Sequence, residues 1–139
     1  MKILIHALGA TMGGAMRHLT NFLPELGRQD RATEYVVLVR ESFVPGPLPE
    51  NIILEKVADA EAASWSRRLI ADQLGLPRRL RNGRFDAIVS LTNFGPVWPR
   101  IPHVFFQRNP LYYCPYHLAK VRGREKAELL MRRRLAVEA

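Results

Sequence analysis

Gly13 and Gly14 stand where an apolar run gives way to an amphipathic segment, and they are the residues of this chain best suited to chemistry. Glycines at such a junction admit positive φ and let a ligand approach the backbone without a Cβ in the way. A helix that starts there offers unpaired N–H groups and the positive end of its dipole, so the chemistry is anion binding. A second set, Asn93, Gln107, Arg108 and Asn109, falls in two later turns. Amides both donate and accept hydrogen bonds, and an arginine holds an anion with two parallel donors, which suits a hydroxyl-rich or phosphate-bearing ligand. Each also has a bland explanation: glycines make tight turns, and Asn93 and Asn109 stand close to prolines where Asn serves the turn itself.

These residues can meet only if the elements around them alternate. Lys2–Ala7 is apolar on both faces, as a central parallel strand is, and predicts the first strand. Ala15, Leu19, Phe22, Leu23 and Leu26 then recur at helical spacing, predicting a helix of about 14 residues from Gly14, loosened in its last turn by Pro24. Tyr35–Val39 and Ile52–Val57 read as the second and third strands, separated by a loop stiffened by Pro45, Pro47 and Pro49. Ala60–Leu76 predicts a second amphipathic helix that Pro77 ends or kinks, followed by the basic run Arg78, Arg79, Arg81 and Arg84. Asp86–Leu91 and His103–Gln107 complete the strands, and Leu118–Val137 reads as a last, arginine-rich helix. Strands alternating with helices and no hairpin signals predict an α/β layered fold with a parallel sheet. In such a sheet the ligand crevice lies beyond the carboxyl ends of the strands, where all three candidate turns emerge.

Composition narrows the classes. With 139 residues and 47% hydrophobic content, one domain with a real core is expected. The 21 Lys+Arg against 13 Asp+Glu favour an anionic partner without specifying it. The lone Cys114 excludes an internal disulfide and fits a reducing, cytoplasmic compartment. His6, His18, His103 and His117 lack ligand-like spacing, so no metal is expected, and no cofactor. The chain has no G-x-S-x-G elbow, Walker loop or H-E-x-x-H. An NADP-dependent reductase of the short-chain type is an alternative: Gly9, Gly13 and Ala15 approximate its loop, Asn93-Phe94-Gly95 its turn, and Tyr116 with Lys120 its catalytic pair. Against it, the tyrosine follows the Asn turn too closely. A basic nucleic-acid-binding module is a further alternative class. The aromatics from Phe105 to Tyr116 lack the order of an RNA-recognition sheet, and no nucleic-acid partner is expected.

Met-Lys-Ile-Leu-Ile at the start, the loop running Gly13-Gly14-Ala15-Met16-Arg17-His18-Leu19, Phe85–Val89, and Pro102-His103-Val104 through Asn109 together resemble the N-terminal domain of family 4 glycosyltransferases. The resemblance spans nearly the whole chain and implies a Rossmann-like three-layer domain with a mostly parallel sheet, one half of a GT-B architecture. It implies a retaining, metal-independent transfer of a sugar from a nucleotide-sugar donor to a glycan or lipid-linked acceptor. Gly13 and Gly14 would lie near the donor diphosphate, and Asn93, Gln107, Arg108 and Asn109 would face the acceptor or sugar. Members often carry a histidine at the end of the fifth strand, where this chain has Gln107 or Arg108. The paired glutamates of the donor domain, E-x-x-x-x-x-x-x-E, do not occur here. The expectation is therefore an acceptor-side domain over residues 1–139, cut before the linker to a donor domain and inactive alone. It would be cytoplasmic, with an anionic membrane surface as a candidate peripheral partner through its arginines.

Overall fold

Apolar β-branched runs covered on both faces have no polar side to turn to water, and the central strands of this protein follow that rule. The computed structural model describes residues 1–11, 13–59, 65–91, 95–106 and 110–137. Its strands are β1 (Lys2–His6), β2 (Glu34–Arg40), β3 (Ile52–Val57), β4 (Ala87–Ser90) and β5 (His103–Phe105). They form one sheet in the order β3-β2-β1-β4-β5, with every neighbouring pair parallel. Central β1 sets the register, with Ile5 opposite Val37 on one side and Val89 on the other.

Two apolar layers flank the sheet. Helix α1 (Gly13–Gln29) buries Leu19 and Leu23 against Ile5, Val37 and Val39. On the opposite face, Leu4, Val36 and Ile88 meet Leu76 and Leu80 of helix α3 (Leu76–Asn82). The helix expected to loosen at Pro24 instead runs on to Gln29. One lost backbone bond is outweighed where Leu23, beside the proline, is wholly removed from water.

The second helical region also departs from expectation. Helix α2 (Trp65–Ile70) passes through a π-helical turn (Ala71–Gly75) directly into α3, so Pro77 does not end it. Leu76 N–H reaches back to the Ala71 carbonyl in the wider π pattern, and Pro77 follows directly on that turn at the start of α3. Arg78, Arg79 and Arg81 are therefore helical rather than a run beyond the helix. The last region, expected as one helix, is broken in two. After a 3₁₀ turn (Pro110–Tyr112), α4 (Pro115–Lys120) ends at Val121, whose backbone is extended and whose side chain is buried. Gly123, at φ +60°, then starts α5 (Gly123–Val137), which packs on the 3₁₀ turn and leaves Leu130 and Met131 exposed. Among the described residues no helix is long and apolar enough to cross a membrane.

Candidate functional site

The chain passes from β1 outward to β2 and β3, then returns to place β4 on the other side of β1. The strand order therefore reverses between β1 and β4, and in open parallel sheets the ligand crevice lies beyond the carboxyl ends of the strands at such a reversal. Ala7 N–H donates to the Leu38 carbonyl at 3.0 Å and Ala10 N–H to the Ala7 carbonyl at 2.9 Å, curling the chain at the end of β1. Arg40, from the end of β2, donates its Nε–H to the Leu8 carbonyl at 3.0 Å and fixes that curl.

Gly13 and Gly14 open α1 above this end of the sheet. Gly13 has φ +59°, a conformation that favours glycine. A Cβ at either position would meet no atom within 4 Å, so the space beside both backbones is open. The first turn of α1 holds no acidic residue to oppose an anion at the positive end of its dipole. The sequence-predicted Asn93, Gln107, Arg108 and Asn109 lie outside the described residues. Their chain neighbours Leu91 and Phe106 leave β4 and β5 at this same end, donating to the His6 carbonyl at 3.0 Å and the Ser90 carbonyl at 2.9 Å. Tyr116 and Lys120, the pair of the reductase alternative, meet on α4, with the ammonium 4.1 Å from the ring centroid and the tyrosine exposed.

Beneath the crevice lies a buried polar layer that sequence reasoning missed. His6 and Asp72 are almost wholly buried, with His6 Nε2 3.1 Å from Asp72 Oδ1. Ser90, opposite His6 in register and fully buried, shares a hydrogen bond of 2.9 Å with His103 Nε2. Neither ring nitrogen of His6 meets hydrogen-bond geometry with a described residue. The serine pairs with a different histidine from the one beside the aspartate, and no solvent reaches it. This is not a hydrolase triad; it is a support.

Asp72 and Gln73, both from the π-helical turn, reach the same end of the sheet. Gln73 donates Nε2–H to the Gly95 carbonyl at 2.9 Å and accepts from Val97 N–H at 2.9 Å. Gly95 itself lies on Ser90 and His103 so closely that a Cβ would come within 2.6 Å of the serine oxygen. The layer therefore anchors the chain that follows β4. The signal available in the sequence was two apolar strands, each ending at its carboxyl side in a polar residue, which must find partners once buried.

Fold and site together define a Rossmann-like α/β domain of three layers, with an open, glycine-bearing helix start at the switch point of an all-parallel sheet. Comparison of the chain with protein-family models, with curated proteins and with solved structures gives no match.

Proposed function

We propose that this chain is the acceptor-side domain of a retaining, metal-independent glycosyltransferase of the GT-B type, working with a second, donor-binding domain in the cytoplasm. The reading is supported chiefly by Gly13 and Gly14: two exposed glycines with clear space beside them, at the start of a long helix whose first turn carries no acid, at a topological switch point. A donor diphosphate would lie against the N–H groups of that first turn, and a sugar acceptor would enter between the chain leaving β1 and the chain leaving β4. The buried layer of His6, Asp72, Ser90 and His103 would hold the second wall at a fixed height.

Gly14→Val tests this in a protein that also carries the donor domain. The added side chain has room in the fold, so helix content and Tm should hold, while transfer from the nucleotide-sugar falls by about tenfold or more because the donor phosphates are kept off the backbone. Undiminished turnover would leave the double glycine as a plain structural turn.

A further inference from the structure

A second site lies along α3, away from the crevice. The connection from β4 to β5 has no helix among the described residues, and between its residues 97–101 and α3 runs a groove of about 840 Å³. That volume is within the range of small-molecule sites. The floor is apolar, formed by Leu80 and Phe85, both buried. The rim is cationic. Arg78 and Arg81 stand three residues apart on α3, Arg84 follows the helix, and Arg100 faces them from the other side. Trp98, 81% exposed, stands at the same rim.

Three observations make this more than a basic surface. Among the described residues no Asp or Glu lines the groove and no carboxylate pairs with any of the four arginines, whereas Arg79 on the same helix is paired with Glu55. Among the described residues, Arg84 and Arg100 are the non-glycine ones at positive φ, at +50° and +60°. Each stands three residues before a strand, and both line this one groove. Arg84 is the left-handed residue that closes the C-terminus of α3, where Phe85 N–H reaches the Leu80 carbonyl, whereas Arg100 holds its positive φ away from any helix end, and backbone so placed clusters at ligand sites. Lastly, an indole so exposed beside guanidinium groups offers a flat apolar face next to concentrated positive charge.

We propose that this groove binds a small phosphate ester carrying an aromatic ring, of the nucleotide class, with its phosphates held by Arg78, Arg81, Arg84 and Arg100 and its ring laid on Trp98. Guanidinium groups take phosphate oxygens two at a time, and four that repel one another are relieved by a polyanion. The ring selects among anions. No residue of the groove belongs to the β1–α1 connection, although Gln73 and Val97 of its lining also anchor the chain that leaves β4.

The test uses the full chain with Trp65 replaced by Phe, so that emission reports Trp98 alone. Titration with ADP should quench that emission saturably. Arg81→Gln with Arg100→Gln, both exposed positions, should weaken binding about tenfold or more at unchanged far-UV circular dichroism, and Gly14→Val should leave it unchanged. Inorganic pyrophosphate should compete, but only weakly. Quenching that rises linearly through the millimolar range, or an affinity the arginine changes do not move, would overturn the proposal. Pyrophosphate binding as tightly as ADP would remove the ring from it. An emission shift with phosphatidylglycerol vesicles and none with ADP would overturn it in favour of a lipid surface.

Discussion

The crossovers from β2 to β3 and from β4 to β5 both lack a helix among the described residues, yet one is sealed and the other open. In the first, Phe43 turns inward and is 2% exposed, and Leu48 packs against the same core. Helix α1 comes down so closely that a Cβ on Gly27 would lie 2.8 Å from Ile52. In the second, the chain is pinned at its start by Gln73 and Gly95, then runs out to Trp98 with its ring in water and arginines on either side. A loop that replaces a crossover helix must cover the sheet with whatever apolar side chain it has. Where that side chain falls against the core the loop becomes structure, and where it falls outside the loop becomes a wall for something else.

The largest expected effect breaks the sealed crossover. Phe43→Ala should cost about 3–5 kcal/mol of unfolding free energy, the usual loss for a buried aromatic, and Trp98→Ala should stay within about 0.5 kcal/mol. Urea titration of both variants measures this. Comparable losses would mean that the open crossover is also part of the core.

Much of the sealed half was legible in the sequence. Tyr35–Val39 declares itself as a strand because burial on both faces leaves no room for polar residues, Ile52–Val57 shows as a β-branched edge strand that admits Glu55 and Lys56, and the structure adds at most a residue at an end. The pattern Ala15, Leu19, Leu23 gave α1 its buried face, though not its length across Pro24. The support of the crevice was not legible. His6 and Asp72 are far apart in the chain, and only the parallel return of the fold and the π-helical turn bring them to 3.1 Å. The groove was hidden for a related reason. Arg78 and Arg81 read as a basic run after a helix, and only the continuation of α3 past Pro77 sets them opposite Arg100. Glycines at a helix start carry their meaning locally, whereas these side chains acquire theirs from packing.

A smaller effect exchanges the roles of the two crossovers. Gly95→Ala puts a methyl 2.6 Å from Ser90 Oγ and 2.9 Å from His103 Cε1, so the open crossover is the intolerant one at its root. Overpacking of this kind should cost about 1–3 kcal/mol. Gly46→Ala in the sealed crossover meets no atom within 4 Å and should fall within about 0.5 kcal/mol of the parent. Thermal unfolding of the two variants decides it, and combining Gly95→Ala with Ser90→Ala should recover part of the loss by removing the clashing oxygen.

The smallest effect concerns what ties the sealed crossover to the end of α1. Asn51, its last residue, donates Nδ2–H to the Asp30 and Thr33 carbonyls at 2.7 Å and 3.1 Å, while its own carbonyl accepts from Tyr35 N–H at 2.8 Å. The Asp30 carboxylate gathers the same turn, accepting from Ala32 N–H, Thr33 N–H and the Tyr35 hydroxyl. The Thr33 hydroxyl first, and the Tyr35 hydroxyl second, hold that carboxyl below its ordinary 3.8. A carboxyl acidified by folding stabilises the folded state fully above 3.8 and loses that contribution as the pH drops through its lower, folded value. Burial first, and then the Asp30 carboxylate, push the Tyr35 phenol above 10.0, so its contribution is complete below 10.0 and fades as the pH rises past that. Asp30→Asn should therefore lower Tm slightly by the same amount across the neutral range, and its curve should converge on that of the parent only in acid. Tyr35→Phe should differ from the parent in how steeply Tm falls in alkali. A gap between Asp30→Asn and the parent that persisted undiminished at the acid end would show that the charge of the carboxylate is not what holds the turn.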